Sequence, residues 1–499
     1  MKITDIHTQS HQLFLWQKEW TYTMNDKKIE FGTGGFRGVI GDDFSRDNIQ
    51  LVGKAIANIV KFEKSEKPIV VGYDYRFMSD YAAKWIAEVL AYNGIKVLIS
   101  KEPTPTPAVM FKTKKESYDF GIMITASHNP YYFNGIKVFQ KEGMDADINL
   151  TSRIEQQIAL LKNVEIIDFD EALSKGFIEY ISFIDEYVEN IKSFMDQQIQ
   201  GSDINILIDD LHGVGVTSLS HLIEKMSFKN IKIVNYNHDA FFGNMLPNPT
   251  KNNMEKDRKY LNDYHYDCIA GLDSDADRLG MLDELGNYVD SNEILASLYY
   301  YFIKYRHMSG DIVKNLATSN LLDKVAQKCG FVCHEVDVGF KNVSSAIKKY
   351  DALIGGESSG GLTMRGYIYG KDSTFALALV IEMLIAMKKP LSKVIEEVRN
   401  FADFHHVIIE DSISYKDDKK VCSYLENETI DFPDEVLKVE RINRNIKYIF
   451  ADDSWVLLRR SGTEPVLRIF VEMRTKEKAE QYVKRLNEYV EHIDNMVHE

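Results

Sequence analysis

The chain has 499 residues, is 44% hydrophobic and 27% charged, and carries a formal net charge of −15. That length accommodates roughly three to four domains. The acidic balance argues against nucleic acid as a partner, since a phosphate backbone demands a basic face, while small phosphorylated ligands stay open because a few arginines can reverse the field of a cleft.

The first residues, Met1 to Trp20, lack the apolar core of a signal peptide. Phe31-Gly-Thr-Gly-Gly-Phe-Arg37-Gly38 is a glycine-rich loop with one arginine. It is not a nucleotide-binding P-loop, because no Gly-Lys-Ser/Thr follows. Ile49, Val52, Ile56, Ile59 and Val60 recur at helical spacing over Asn48 to Val60. A strand follows at Ile69 to Gly72, then a helix around Ala82 to Tyr92 and a strand at Ile95 to Ile99. Gly121 to Ile124 is an apolar strand that runs into Thr125-Ala-Ser127-His128-Asn129-Pro130. Asn-Pro marks a turn, so Ser127 stands on a tight loop at a strand end. Asn134-Gly135 reads as a hairpin turn, with Ile136 to Phe139 returning from it.

The pattern restarts with a strand at Ile204 to Ile208, a helix near Ser218 to Met226 and a strand at Ile231 to Val234. It restarts again with a strand at Asp311 to Leu316, a helix at Asn320 to Lys328 and a strand at Phe331 to Val336. Strands alternating with helices indicate α/β layers. Phe375 to Met387 is apolar except for Glu382 and too short to span a bilayer, so it reads as a buried helix. Beyond Phe401 come short strands at Val407–Ile409, Tyr448–Phe450, Trp455–Leu458 and Leu467–Val471, then a long amphipathic helix with Ala479, Tyr482, Leu486, Val490 and Ile493 on one face. That is a smaller α+β unit. Cys268, Cys329, Cys333 and Cys422 form no zinc spacing and read as free thiols of a reducing compartment. The expectation is a cytoplasmic protein with no membrane contact.

Three further loops carry chemistry. Asp273, Asp275 and Asp277, followed by Arg278, alternate along Gly271 to Arg278 and would share one side of an extended segment. Such close carboxylates repel unless a cation sits among them, and oxygen ligands suit Mg²⁺; the alternative is a solvated acidic turn. Gly355-Gly-Glu357-Ser-Ser359-Gly-Gly361 offers backbone approach and polar groups for sugar hydroxyls, or is a flexible surface turn. Arg459-Arg460-Ser461-Gly462-Thr463-Glu464-Pro465, with Arg468 beyond, is an anion cradle, or a helix start capped by Thr463. The two arginines followed by hydroxyls favour phosphate. No segment matches a nucleoside triphosphate site, so a phosphoryl group on Ser127 does not come from bound ATP.

The four loops stand in four successive units, and in that order the chain closely resembles the α-D-phosphohexomutase superfamily, phosphoglucomutase and phosphomannomutase among them, from about Phe31 to the C-terminal helix. The resemblance implies an α/β protein of four domains around a central cleft: three similar α/β domains at 1–199, 200–306 and 307–402, and a smaller α+β domain at 403–499. It implies Ser127 as the phosphoserine, with Asp273, Asp275 and Asp277 as Mg²⁺ ligands and an oxygen of phosphorylated Ser127 completing the set. It places Arg37, Lys137, His128 and Arg278 in the catalytic centre, and Glu357 and Ser359 on the sugar hydroxyls. Arg459, Ser461, Gly462, Thr463 and Arg468 would hold the distal phosphate, with Lys341 a further substrate contact.

By that resemblance the chain is a mutase converting glucose 1-phosphate and glucose 6-phosphate, primed by a hexose 1,6-bisphosphate, as a monomer or homodimer. Phosphomannomutase is the runner-up, ahead of phosphopentomutase and phosphoglucosamine mutase. A sugar phosphatase and a non-catalytic sugar-phosphate sensor are the rivals from other classes. Thr33-Gly-Gly-Phe-Arg37 departs from the Thr-Asp-Gly form of phosphoglucosamine mutases, and Glu357-Ser-Ser-Gly-Gly361 lacks the histidine that often follows the glycine. Both departures weigh toward a hexose over an amino sugar. Arg460 stands where many relatives carry proline.

Overall fold

A buried strand that ends in a reversal, rather than in another helix, recurs three times along the chain. The computed structural model describes residues 29–32, 35–428, 430–460 and 465–495. In the first unit β1 (Phe31–Gly32), β2 (Gly35–Val39), β3 (Ile69–Tyr73), β4 (Val97–Ser100), β5 (Phe120–Ile124), β6 (Phe133–Gln140), β7 (Met144–Asp145) and β8 (Ile178–Ile181) form one sheet. Its order is β1-β2-β6-β5-β3-β4-β8, with β7 on β6. The second sheet has β9 (Asp203–Asp209), β10 (Lys229–Val234), β11 (Cys268–Leu272), β12 (Leu279–Asp283) and β13 (Tyr288–Val289) in the order β10-β9-β11-β12-β13. The third has β14 (Ile312–Asn315), β15 (Cys333–Val336), β16 (Ile354–Gly356) and β17 (Leu362–Met364) in the order β15-β14-β16-β17.

The three sheets share one motif. A central strand (β3, β9 or β14) runs parallel to both neighbours, and the second neighbour (β5, β11 or β16) pairs with an antiparallel return strand. Helices Ser79–Tyr92, Gly215–Met226 and Leu321–Cys329 make the first crossover in each unit, as parallel pairing requires. The strands before the reversals, β5, β11 and β16, are buried along their whole length, which is why they are apolar runs rather than alternating patterns. The reversals fall at the carboxyl ends of the parallel strands, where open α/β sheets bind their ligands. They carry Ser127, the three aspartates, and Glu357 with Ser359.

The helix Ser373–Met387 is apolar on nearly all sides and therefore buried. Its single charge, Glu382, accepts from the Asp196 N–H (2.8 Å) and the Tyr301 hydroxyl (2.9 Å) and pairs with Arg306 (3.1 Å). Among the described residues no helix is long and apolar enough to cross a membrane, and the four cysteines are free.

The fourth unit is an antiparallel sheet of β18 (Val407–Ser414), β19 (Val436–Ile442), β20 (Asn445–Phe450), β21 (Trp455–Arg460) and β22 (Val466–Met473), in the order β18-β22-β21-β20-β19. The helix Lys476–Asn495 contributes Ala479, Tyr482, Leu486, Val490 and Ile493 to the core on one face. On the other face Trp455, Leu457 and Phe470 pack against Leu316 and Ala317 of the third unit. At the same junction the buried Glu472 accepts from Trp455 Nε1 (2.5 Å), the Asn320 N–H (3.0 Å) and Ser319 Oγ.

One sequence expectation is corrected here. Asn134 and Gly135 do not make a hairpin turn; they lie inside β6, paired with β2. Asn134 is buried, and its amide donates to Ser79 Oγ (2.9 Å) and the Phe77 carbonyl (3.1 Å). A Cβ on Gly135 would stand 2.3 Å from the Phe36 carbonyl oxygen and 2.8 Å from that of Thr125. The glycine therefore permits close approach of three backbones. Because the obstructing atoms are backbone, Gly135→Ala should lower stability by about 1–3 kcal/mol or more, measured by urea denaturation; a wild-type midpoint would contradict this packing.

Candidate active site

Ser127 is 1% exposed and has a φ of +51°, on the reversal between β5 and β6. A left-handed backbone is uncommon for a residue with a side chain and is held only by its surroundings. Thr125 Oγ1 accepts the Ser127 N–H (2.8 Å), and Ser274 Oγ donates to the Ser127 carbonyl (2.5 Å). Ser127 Oγ donates to Asp273 Oδ2 (3.1 Å) and lies 3.3 Å from His128 Nδ1. The first and second reversals therefore meet, although the sequence separates them by a whole unit.

The aspartates do not sit on an extended segment, as their spacing suggests. They lie on the tight turn between β11 and β12, where Ala276 takes a φ of +56° and donates its N–H to the Asp273 carbonyl (3.0 Å). Asp273 Oδ1 accepts the N–H groups of Asp277 (2.8 Å) and Arg278 (2.9 Å). Curling of the turn, not alternation of side chains, brings one oxygen of each carboxylate within 4.8 Å of the others. Asp275 Oδ2 accepts from Thr106 Oγ1 (2.6 Å) and Lys137 Nζ (2.6 Å), and Lys137 also reaches Asp277 Oδ2 (2.9 Å). Lys371 Nζ lies 3.1 Å from Asp277 Oδ1, and Arg278 Nε lies 3.9 Å from the same atom.

Burial, then the charges of Asp277 and Asp275, pushes Asp273 well above the usual carboxylate range. Burial acts in the same direction on Asp277, but Lys137, Lys371 and Arg278 outweigh it and hold that carboxyl well below its ordinary range. Burial disfavours the Lys137 ammonium, but Asp275 and Asp277 outweigh it and raise its pKa above the ordinary lysine range, so the group stays charged. His128 is pulled well below its ordinary range by burial, then by Arg278, Arg37 and Lys371, so its imidazole is neutral. Arg37, on β2 opposite Gly135, is lowered by burial and by Arg278. Two guanidinium groups and two lysines thus surround Ser127 and the carboxylates.

Asp275 Oδ1 is buried with no hydrogen-bond partner among the described residues. A compact trio of buried carboxylates with an orphaned oxygen and a serine hydroxyl alongside fits a hard, oxygen-seeking cation such as Mg²⁺. Asp273, Asp275 and Asp277 would hold it, with Ser127 beside them.

The third reversal abuts the second. The Gly360 carbonyl, at a φ of +91°, accepts the Leu279 N–H (3.2 Å), and a Cβ there would meet the Leu279 carbonyl at 2.5 Å. The Ser373 N–H donates to the Ala276 carbonyl (3.1 Å). Glu357 Oε1 accepts from Ser359 Oγ (2.6 Å) and Oε2 from Asn315 Nδ2 (3.2 Å), which presets the acid and the hydroxyl as one unit.

On the fourth unit Arg459 and Arg468 stand directly opposite each other on β21 and β22. Burial, then Arg468, lowers the proton affinity of Arg459. Like charges in that position oppose sheet pairing unless an anion lies between them. Arg460 points to the other face and pairs with Glu426 at 2.9 Å, so of the two adjacent arginines only Arg459 faces Arg468. Ser461, Gly462 and Thr463 lie outside the described residues. Lys341 opens the helix Phe340–Tyr350 and is half-buried. Four residues earlier, Asp337 accepts from the amides of Asn443 and Asn445, each at 2.6 Å. That segment is joined to the fourth unit, not to the Ser127 cluster.

Thr106, Ser274 and Lys371 were not singled out by sequence. Ser274 sits inside the Asp-x-Asp motif and was legible as a hydroxyl next to a metal loop. Thr106 and Lys371 are isolated polar residues in unremarkable context, and only the fold shows what they touch.

Four family models match the chain: phosphoglucomutase/phosphomannomutase alpha/beta/alpha domains I, II and III at residues 28–165, 185–286 and 290–401, and the C-terminal domain at 424–488. A phosphoglucomutase/phosphomannomutase of Thermococcus kodakarensis is 29% identical over 459 residues, covering 91% of this chain and 96% of its own length. A phosphoglucosamine mutase of Prochlorococcus marinus is 28% identical, covering 90% of this chain and 94% of its own. Among solved structures, a Thermus thermophilus protein described by assignment as a phosphomannomutase superposes with a TM-score of 0.82 at 25% identity, over 94% of this chain and 100% of that one.

Isothermal titration of the protein with Mg²⁺ should show one tight site. Asp275→Asn should weaken it by about tenfold or more, since ligand charge governs affinity for hard cations; an unchanged titration would remove the aspartate turn as the ion's location.

Proposed function

The chain belongs to the phosphoglucomutase/phosphomannomutase family of the α-D-phosphohexomutase superfamily, isomerases that move a phosphoryl group within one sugar phosphate, and on that premise we propose that it interconverts α-D-glucose 1-phosphate and glucose 6-phosphate. The observation that carries this reading is the contact between Ser127 Oγ and Asp273 Oδ2 (3.1 Å), inside a ring of Lys137, Arg37 and Arg278. A hydroxyl so placed is suited to carry a phosphoryl group.

In the first half-reaction the Ser127 Oγ–P bond breaks as a free sugar hydroxyl forms a new O–P bond. The hydroxyl proton passes to a neighbouring base; of the two candidates His128 is neutral here, while Lys137 would first have to lose the proton that Asp275 and Asp277 hold on it. Arg278 and Arg37 hold the phosphoryl oxygens in place, and such positioning is the larger part of phosphoryl-transfer catalysis. Mg²⁺, when bound to the aspartates, neutralises charge on the same group. The resulting glucose 1,6-bisphosphate turns over in the cleft. Arg459 and Arg468 hold whichever phosphate is distal, while Glu357 and Ser359 hold the sugar hydroxyls. The second transfer returns the other phosphoryl group to Ser127 Oγ. A hexose 1,6-bisphosphate primes the enzyme.

A hexose is favoured over an amino sugar by the first loop, which lacks the Thr-Asp-Gly form of phosphoglucosamine mutases. Phosphomannomutase activity is the second reading, because the Thermococcus relative is named for both sugars. A side-by-side assay with the 1-phosphates of glucose, mannose, glucosamine and ribose should give the highest kcat/KM for glucose. Ser127→Ala should lose about 10³-fold or more in turnover with the fold retained. Wild-type turnover in that variant would overturn the mechanism, and free phosphate released as fast as isomer forms would mark a phosphatase.

A further inference from the structure

The buried pair Asp74–Arg76 lies beneath the Ser127 reversal, just past the end of β3. Arg76 is 3% exposed, and the two terminal nitrogens of its guanidinium are directed at the backbone of that reversal. Nη2 donates to the carbonyls of Ser127 and Asn129 (2.6 Å to the latter). Nη1 donates to those of Pro130 (2.9 Å) and Phe133 (3.0 Å). One side chain thus ties four carbonyls of a single reversal.

The other side of the reversal is tied through Asp74. Its Oδ2 accepts from Thr125 Oγ1 (2.6 Å), and Thr125 Oγ1 in turn accepts the Ser127 N–H (2.8 Å). Asp74 Oδ1 accepts from Ser79 Oγ (2.7 Å) and the Arg76 N–H (3.0 Å), and Asp74 Oδ2 lies 3.5 Å from Arg76 Nε. The circuit closes: Ser127 N–H to Thr125, Thr125 to Asp74, Asp74 to Arg76, Arg76 back to the Ser127 carbonyl. It grips Ser127 through both its N–H and its carbonyl and so maintains the left-handed φ that points Oγ at Asp273. The outer face of the guanidinium is covered by the Phe242 ring of the second unit, 4.9 Å from centroid to Cζ. The unit that supplies the aspartates therefore also clamps the fastener of the serine.

We propose that Arg76 is a positioning residue for phosphoryl transfer, acting with Asp74 and Thr125 to set the direction of Ser127 Oγ without touching substrate. This rests on Ser127 being the phosphoryl carrier. An ammonium cannot span four carbonyls as a planar guanidinium does, so Arg76→Lys should keep the charge and lose the alignment. A small misplacement of a reacting atom costs about 10²-fold in rate. Arg76→Lys should accordingly lower kcat by about 10²-fold while KM for glucose 1-phosphate stays within about twofold, because the sugar is held by other loops. Thr125→Val, which is nearly isosteric but breaks the circuit, should show the same split, and Thr125→Ser should restore kcat.

The readouts are steady-state kinetics, the rate of label transfer from [³²P]glucose 1,6-bisphosphate to the protein, and circular dichroism to count folded molecules. Wild-type kcat and labelling rate in both Arg76→Lys and Thr125→Val would overturn the proposal. So would a loss that merely follows the folded fraction, or failure of Thr125→Ser to recover what Thr125→Val loses. Wild-type protein that takes no label at Ser127 would instead defeat the carrier role itself and this proposal with it. Should Arg76→Lys not fold, the two Thr125 variants decide the question.

Discussion

Three carboxylates buried on one tight turn are the constraint to which the rest of the molecule answers. In a low-dielectric interior they repel strongly, and burial of each unpaired charge is costly. The turn exists because cations and donors from other units face it. Lys137 and Thr106 come from the first unit and Lys371 from the third, while Ser127 and the Ser373 and Ala276 backbones fasten its two sides. Such a turn could not fold in isolation, and the units that answer it cannot drift away without leaving it unbalanced. The same balance explains why the neighbouring groups depart so far, and in opposite directions, from their ordinary titration ranges.

A repeated topology makes this convergence possible. In each α/β unit the third strand of the parallel set is followed by an antiparallel return, so each unit presents one reversal at its carboxyl edge. Three units with no residue-level repeat thus deliver a serine, an acidic turn and a glycine-rich polar turn from equivalent places. Backbone does much of the joining. Leu279 to Gly360 and Ser373 to Ala276 are main-chain bonds, which depend on the course of the chain more than on side-chain identity.

Much of this was legible in the sequence, for physical reasons that differ from element to element. Strands buried on both faces are apolar runs, and β3 and β5 stand out for that reason. Serine, aspartates and arginines on glycine- and proline-marked loops announce chemistry because a loop has few other uses for them. What failed were inferences from local spacing. Asn134-Gly135 is a common turn pair, but tertiary packing uses its small volume inside a strand. The alternate aspartates suggested an extended segment, whereas the turn is curled by hydrogen bonds to Asp273 that no periodicity reveals. Arg459 and Arg460 look equivalent until the sheet puts them on opposite faces. Arg76 and Lys371 were invisible because their partners lie on distant segments, as with most residues whose work is to hold others still.

The junction between the third and fourth units bears on how far the two can move apart. Trp455, Leu457 and Phe470 share a dry contact with Leu316 and Ala317, and Glu472 is saturated with donors from both sides. Domains joined by polar contacts swing freely, but a shared apolar core resists it. The glycine-rich turn and the facing Arg459 and Arg468 thus ride on two units that share one apolar seam, and to separate them the chain would have to bare Trp455, Leu457 and Phe470 to water.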